Sequence, residues 1–376
     1  MHFKLPGEGG GIRSYHIAKR FIREGHRVSV ITLGKPGFEV RENIHIYRVG
    51  MHYANQLNTF RRLLVYSFFA LRAAFKAKNI PRPAFFYIIS TPLTVGITGI
   101  YLKRTEKVPF VFEVGDLWPA VPFAMGYFKN NWIRKRLFCM EKKIYKEAWK
   151  IVALSPTIKS YIRKITGKKP LVTIPNMADP DFFISKENPL KPFKILYAGT
   201  LGKANQLEYL LNLANHSQKE GFKWHFQIMG DGAEKNKLIR KTEQYQLKNI
   251  TWLPSGDKEA VKNAYNDCHA VFLSFQPLPI LHTGSPNKFF DGLAAGKMII
   301  SNLGGWTSNL IQRYQLGITY DPENPEVAVI KISEALKNQQ VMVYAGNSKR
   351  MGEQLFNKEA QLHKLYSFLK LSNTHK

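Results

Sequence analysis

Cysteine, acidic residues and long apolar runs are all scarce in this sequence of 376 residues. The only two cysteines, Cys139 and Cys268, are too few for a disulfide framework and have no metal-like spacing, which favours a reducing compartment and no structural zinc. No run reaches the length of a membrane-spanning segment, and the first residues lack the apolar core of a signal peptide. These absences predict a cytoplasmic protein.

Acidic residues are outnumbered two to one, since 55 Lys and Arg stand against 27 Asp and Glu, for a net charge of +28. Such a surplus attracts phosphates, nucleic acid or an anionic membrane surface. The aromatic and basic cluster of a nucleic-acid-binding module is not recognisable, so no nucleic-acid partner is expected. A hydrophobic content of 44% in a chain of this length predicts two globular domains.

Strand and helix patterns alternate through both halves of the chain. In the first half the glycines Gly9, Gly10 and Gly11 precede a predicted helix over 12–24 and a strand over 28–33. A glycine loop of this kind normally follows a parallel strand, and here that first strand is missing. The loop also lacks the Gly-x-Gly-x-x-Gly spacing of an NAD-binding protein.

A Pro-rich polar stretch around residue 185 predicts the domain boundary, with domains over 1–185 and 186–376. The second half restarts with a strand over 193–197, which Gly199, Gly202 and Lys203 follow. The next strand ends at Gly230. The predicted fold class is therefore α/β, with two Rossmann-like domains built on parallel sheets.

The segment 284–297 combines a loop, a helix start and a helix stop. Ser285 is predicted as the N-cap and Pro286 as the first helical residue. Gly284, the free amides near Asn287 and the charge of Lys288 then favour a diphosphate, and Asp291, one turn later, is able to bind a ribose diol. An ordinary capped helix followed by a strand explains the same residues.

Two further features have alternative interpretations. The predicted helix over 60–78 sets Leu and Phe among Arg and Lys, a pattern that fits either a membrane interface or packing against a sheet. Asp116 follows the predicted strand over 109–114, where ligands bind in parallel sheets, although a helix N-cap or a loop position is an equal explanation.

The ordered set of motifs resembles the retaining glycosyltransferases of the GT-B fold, specifically the family-4 enzymes that build bacterial capsule, O-antigen and exopolysaccharide. The resemblance rests on the glycine loop, on the block 112–119, and on the motifs listed here: Ile174-Pro175-Asn176, Tyr197-Ala198-Gly199, Gly230-Asp231-Gly232 and Ser285-Pro286-Asn287-Lys288. It implies two domains that face a central cleft, a C-terminal domain that binds a nucleotide-sugar and an N-terminal domain that binds the acceptor, with the last helix packing back on the N-terminal domain.

The resemblance also implies roles for individual residues. Asp291 falls where the family has the second glutamate of a paired motif, and Thr283 replaces the first. Thr200 and Asn205 stand where the family commonly has an Arg and a Lys, so Lys203 and Lys288 are the expected substitutes. Asp116 and Lys288 are the expected catalytic residues, and the expected donor site is Gly10, Gly11, Gly199, Gly202, Lys203, Gly230, Gly284, Ser285, Pro286, Asn287 and Asp291.

On this basis the sequence predicts transfer of a hexosyl or N-acetylhexosaminyl group from a UDP-linked sugar to a lipid-linked saccharide, without cofactor or metal, at the inner face of the plasma membrane. A GT-B-type sugar-nucleotide epimerase and a non-enzymatic basic protein that binds membranes or anions are the alternatives.

Overall fold

The computed structural model describes residues 3–8, 12–50, 59–90, 92–128, 130–183 and 192–370, with the backbone alone for 59–63. These residues form two compact α/β units. The first comprises Met1–Leu5, Gly11–Pro175 and Gln361–Lys376, and the second comprises Pro6–Gly10 and Asn176–Ala360. The predicted domain boundary near residue 185 lies outside the described residues.

The described residues of the first unit form seven strands in two sheets. The strands are β1 (Val28–Thr32), β2 (Gly37–Arg41), β3 (Ile44–Arg48), β4 (Phe86–Ile89), β5 (Phe110–Val114), β6 (Lys150–Ala153) and β7 (Leu171–Thr173). One sheet has the order β1-β3-β2 and the other the order β4-β5-β6-β7. All neighbours are parallel except β2 and β3, which are antiparallel. The sequence of residues 38–50 predicts a pair of short strands, and β2 and β3 form it. The described residues Phe3–Leu5 form no strand.

Helices cover these sheets. They are α1 (Arg13–Arg23), α2 (Thr59–Lys78), α3 (Val95–Thr105), α4 (Ala120–Ala124), α5 (Asn131–Glu147) and α6 (Pro156–Thr166). The Ser155-Pro156 pair in the sequence predicts a helix start. Ser155 does cap α6, since its hydroxyl accepts the Ile158 amide at 3.0 Å. Within the described ranges, no helix is long and apolar enough to cross a bilayer.

In the second unit, the described residues form a single parallel sheet of six strands. They are β8 (Phe193–Ala198), β9 (Trp224–Met229), β10 (Ile250–Leu253), β11 (Ala270–Leu273), β12 (Met298–Ser301) and β13 (Gly317–Thr319), in the order β10-β9-β8-β11-β12-β13. Written by position along this unit, the order is 3-2-1-4-5-6, that of a dinucleotide-binding doubly wound sheet. The strands β8, β11 and β12 are almost entirely buried, because helices pack on both faces.

The helices of the second unit are α7 (Glu208–Lys219), α8 (Lys235–Gln244), α9 (Lys258–Asp267), α10 (Asn287–Ala294), α11 (Gly305–Arg313), α12 (Pro325–Lys337) and α13 (Gln340–Gln354). The sequence predicts two helices at the end of the chain, over 326–338 and 356–371, and α13, which lies between them, was missed. The last helix, α14 (Lys358–Leu369), runs into the part of the chain assigned to the first unit. There the Lys150 ammonium donates to the Phe368 carbonyl at 2.8 Å.

Candidate functional site in the second unit

The candidate site lies where the central strands of the six-stranded sheet end. Because all neighbouring strands are parallel, the loops after β8, β9, β11 and β12 leave the same edge. The chain order reverses at β8, which has β9 on one side and β11 on the other. Such a reversal opens a crevice at the carboxyl ends of the strands, and ligands bind there in doubly wound sheets.

Two of the predicted glycines bring the first two loops into backbone contact. Gly199 and Gly230 have φ angles of +153° and +154°, which side chains rarely adopt. A Cβ at Gly230 would overlap the Gly199 carbonyl oxygen. The amides of Gly199 and Leu201 donate to the carbonyls of Met229 and Asp231, each at 2.9 Å. The loops therefore form one surface with little side-chain cover.

Lys288 lies on this surface. Its side chain passes over Gly199 so closely that a Cβ there would displace it. The ammonium is 4.7 Å from the centre of the Tyr197 ring and 5.9 Å from that of Phe275. Among the described residues it has no hydrogen-bond or ion-pair partner. Desolvation lowers the pKa of Lys288 to about 8, and Asp291 opposes that shift.

The start of α10 differs from the sequence prediction. Pro286, not Ser285, is in the N-cap position, so Ser285 is not the cap and Pro286 is not the first helical residue. The Ser285 hydroxyl instead accepts the Asn176 amide at 3.0 Å, and its carbonyl accepts from the Asn176 side chain. Within the ranges that the structure describes, no side chain caps α10. The amides of Asn287 and Lys288 therefore have no acceptor in the described part of the chain.

Asp291 lies one turn after Lys288 and is half-buried. Its pKa rises to about 7, chiefly because of desolvation and further because of Asp179, while Lys258 and Lys288 act in the opposite direction. The structure thus places a cation and a carboxyl with perturbed pKa values on one helix, a feature that functional sites often share.

Asp179 begins an Asp-x-Asp sequence, Asp179-Pro180-Asp181, that the sequence analysis overlooked. The Asp179 carboxylate forms ion pairs with Lys358 at 2.8 Å and Lys258 at 3.4 Å. Its charge is therefore compensated by two lysines. The described residues include no cluster of three or more His, Cys, Asp or Glu suited to a metal ion.

The other predicted donor residues have different surroundings. Gly202 precedes a short 3-10 turn, Lys203–Asn205, and Lys203 is exposed. The Gly284 carbonyl accepts the Trp306 indole at 2.7 Å, which anchors the loop before α10. Asn287 is exposed. Gly10 and Gly11 lie outside the described residues.

Asp116 belongs to the first unit, where it follows β5 and is exposed. The alternative interpretation as a helix N-cap is wrong, because Pro119 occupies that position before α4. Trp118 packs edge-on against Tyr66, with ring centres 6.3 Å apart. Asp116 is thus an accessible carboxylate at the carboxyl end of a buried strand.

The sequence analysis missed a buried network in the same unit. The Arg13 guanidinium donates two hydrogen bonds of 3.0 Å to Glu113, and Tyr87 donates to the same carboxylate at 2.5 Å. Arg13 also donates to the carbonyls of Ile174 and Pro175. Burial and Glu113 together hold the pKa of Tyr87 well above its ordinary value. The network fixes α1 at the carboxyl ends of β5 and β7.

Asn302 is a second residue that sequence reasoning missed. Its side chain accepts the Phe275 amide at 3.0 Å and donates to the Phe275 carbonyl at 2.7 Å. It thereby fixes the backbone of a residue that flanks Lys288. An Asn directly after a buried strand was the available signal, but its partner is 27 residues away.

Comparison with known proteins agrees with this geometry. The family model described as Glycosyltransferase Family 4 matches residues 7–182, and that described as Glycosyl transferases group 1 matches residues 179–354. Among curated proteins, none matches the chain.

Several solved structures share the fold. Sucrose-phosphate synthase from Thermosynechococcus elongatus is similar with a TM-score of 0.77 and 15% identity, over 96% of this chain and 93% of the other. Anabaena Alr3699/HepE in complex with UDP and glucose has a TM-score of 0.68 and 13% identity, over 98% of both chains. WaaG, a glycosyltransferase involved in lipopolysaccharide biosynthesis, has a TM-score of 0.67 and 13% identity, over 99% of both chains.

The predicted fold class, two α/β domains on parallel sheets as in GT-B glycosyltransferases, is therefore confirmed. Because the two family models follow one another along almost the whole sequence, the chain is a glycosyltransferase of the family-4 and group-1 type.

Proposed function

We propose that this glycosyltransferase uses a UDP-linked hexose or N-acetylhexosamine and transfers the sugar, with retention of its anomeric configuration, to a lipid-linked saccharide in cell-surface polysaccharide biosynthesis. The observation that carries the donor part is the unpaired Lys288 ammonium beside the uncapped start of α10. Together they offer a positive charge and free amides to a diphosphate.

The chemistry follows from these positive groups. As the bond between the sugar and the diphosphate breaks, negative charge grows on the leaving phosphate oxygen. Lys288 and the amides of Asn287 and Lys288 stabilise that charge, which is the role that a metal ion has in other transferases. We therefore propose a reaction without metal or cofactor. Asp291 binds the ribose diol, and Asp116 orients the acceptor hydroxyl or the donor sugar.

Calorimetric titration with UDP and GDP tests the donor part. We expect micromolar binding of UDP and at least tenfold weaker binding of GDP. Strong binding of GDP alone would contradict the proposed donor class, and absence of binding by both nucleotides would contradict the site.

Incubation with UDP-sugars, with and without a polyprenyl-diphosphate saccharide, then tests the reaction. Release of UDP and a changed sugar epimer without acceptor would instead indicate the epimerase.

Retention and metal independence have separate tests. Proton NMR of the product reports the anomeric configuration, and a product of opposite configuration to the donor would contradict retention. Activity in the presence of excess EDTA should equal that in its absence, while a loss that Mg²⁺ or Mn²⁺ restores would contradict the metal-free reaction.

The proposed membrane location rests on α2. One face is buried, with Tyr66, Phe69 and Ala74 in the core. The opposite face exposes large apolar side chains at helical spacing: Leu64, Phe68, Leu71 and Phe75, the last with 64% of its surface accessible. Exposed apolar residues of this size in a row indicate an interaction surface. With the net charge of +28, an anionic leaflet is the partner that we propose.

Vesicle sedimentation tests the membrane surface. The double variant Phe68→Ser/Phe75→Ser should lose most of its binding to vesicles that contain phosphatidylserine. The matched control, Ile330→Ser/Val343→Ser, changes two similarly exposed apolar residues of α12 and α13 and should bind as the wild type does. Equal binding by both double variants would contradict the assignment.

A further inference from the structure

The loop between β11 and α10 leads directly into the candidate site. After β11 ends at Leu273, the chain forms one short 3-10 turn, Leu281–Thr283, before α10 begins at Asn287. Because no side chain of the described residues caps α10, its first turn depends on this loop for its position. Contacts that fix the loop therefore also fix the amides of Asn287 and Lys288.

Two side-chain hydrogen bonds join this loop to the start of α11. The Trp306 indole donates to the Gly284 carbonyl at 2.7 Å, and the Gly304 amide donates to Nδ1 of His282 at 3.3 Å. The helix α11 follows β12, which pairs with β11 along its whole length. The start of α11 is thus anchored in the sheet and gives the loop a fixed support.

The glycines at the start of α11 fit closely against His282. A Cβ at Gly304 would lie 2.8 Å from Nδ1 of His282, and a Cβ at Gly305 would lie 3.0 Å from the His282 carbonyl oxygen. Gly305 also has a φ angle of +67°, in the left-handed region. Residues without a side chain at both positions therefore let the imidazole ring reach the backbone.

The hydrogen bond to Nδ1 also defines the protonation of the ring. A nitrogen that accepts an amide hydrogen has no proton of its own, so the proton of the neutral ring is on Nε2. Burial favours this neutral form, since desolvation lowers the pKa of His282, while the Gln276 carbonyl opposes that shift. Nε2 is buried without a hydrogen-bond partner among the described residues. His282 therefore contacts the start of α11 through Nδ1.

We propose that His282 is a positioning residue of the donor site: its Nδ1, together with the Trp306 indole, holds the loop 282–286 against α11 and so keeps the amides of Asn287 and Lys288 aligned for a diphosphate. The effect on a nucleotide rests on the proposed function. The support of the loop by His282 is a property of the second unit and does not.

Two amide variants separate this role from the filling of space. In His282→Asn the side-chain oxygen is as many bonds from the backbone as Nδ1, so it is able to accept the Gly304 amide. In His282→Gln the amide group lies one bond farther out, at the place of Nε2. We expect calorimetry to show UDP affinity within about threefold of wild type for the Asn variant and about five- to tenfold weaker for the Gln variant. Equal affinities of the two variants would overturn the proposal.

Hydrogen exchange of the full chain without nucleotide separates a failure of this inference from a failure of the proposed function. The segments 281–289 and 303–308 should exchange at the wild-type rate in His282→Asn and about tenfold faster in His282→Gln. The strands β11 and β12 should stay protected in both variants, which shows that both are folded.

The exchange result decides the role of His282 whether or not UDP binds. Wild-type exchange of both segments in His282→Gln would overturn the proposal. Faster exchange in that variant, combined with a wild-type protein that does not bind UDP, would support the role of His282 in holding the loop and would contradict the donor site alone.

Discussion

Ser155-Pro156 and Ser285-Pro286 each stand at the start of a helix, one in the first unit and one in the second, and the sequence suggests the same role for both. In the first pair the Ser155 hydroxyl accepts the Ile158 amide, so this amide at the start of α6 already has a hydrogen-bond partner. In the second pair the Ser285 hydroxyl is occupied by the Asn176 amide, and α10 has no side-chain cap.

The difference teaches how an ordinary helix start and an anion site are told apart. A capped start has already satisfied amides that an anion would need. An uncapped start beside an unpaired Lys288 keeps both the amides and the positive end of the helix dipole available. The Asn176 contact is therefore part of what makes α10 a candidate site.

The largest effect that we expect is on UDP affinity, when the lysine at the start of α10 or the one at the start of α6 is removed. Lys288→Ala should weaken UDP binding about 10- to 100-fold, because a charge-assisted contact to the diphosphate is lost. Lys159→Ala removes the same charge from the first turn of α6 and is the matched control. Calorimetry should show that the UDP affinity of Lys159→Ala lies within twofold of that of the wild type. Similar losses in both variants would mean that net charge, and not the α10 site, binds the nucleotide.

The pKa of Lys288 gives a second prediction about the same contrast. Since this pKa is lowered to about 8, the ammonium is present at pH 7 and is lost as the pH rises through 8. We expect UDP affinity to fall about tenfold between pH 7 and pH 9.5. The Lys288→Ala variant should bind weakly with a flat profile over this range. An equal decline in both proteins would assign the pH dependence to another group.

Much of the fold follows from local sequence. Periodicity and glycine loops predict most of the strands, the helix α2 and the two-domain α/β class, because each depends on residues close in the chain. The helix α13 was missed because only two residues separate it from α12. So short a connection gives little signal in the sequence that one helix ends and another begins. The split sheet of the first unit depends on pairing between distant strands.

The candidate site was predictable in part for the same reason. Gly199, Gly230 and Lys288 occur in motifs with local signals, and the structure brings them together. The loss of the Ser285 cap depends on Asn176, which is 109 residues away, and the Arg13 and Glu113 pair spans 100 residues. Spacing within a motif gives no information on such contacts, whereas they decide which amides stay free.

Asp291 provides a prediction in which stability and binding change in opposite directions. Its pKa is raised to about 7, so the folded state favours the neutral carboxyl and wild-type stability falls as the pH rises from about 4 to 7. Asp291→Asn should raise the free energy of unfolding by about 1 kcal/mol at pH 8 and leave it unchanged below pH 4. The same variant should bind UDP more weakly.

Urea unfolding at both pH values measures the stability, and Asp267→Asn is the control of opposite sign. Desolvation raises the pKa of Asp267, but hydrogen bonds from Lys194 and Gln227 outweigh it and lower that pKa. Its amide variant should therefore be less stable than wild type at pH 8. A destabilised Asp291→Asn at pH 8 would show that the carboxylate is better compensated than its surroundings indicate.

The smallest effects concern the two serines themselves. Ser155→Ala should lower the free energy of unfolding by about 1 kcal/mol, and Ser155→Asn should restore most of it, because Asn is also a good N-cap. UDP affinity should stay within twofold of wild type in both.

Ser285→Ala leaves the buried Asn176 amide without an acceptor and loosens the start of α10. Its UDP affinity should fall about two- to fivefold, and Ser285→Asn should not restore it, since the hydroxyl at this position is not a cap. Unfolding curves and calorimetry on these four variants decide the matter. Recovery of stability and affinity in Ser285→Asn would mean that the two helix starts are equivalent after all, and the distinction between a capped and an open start would then fail.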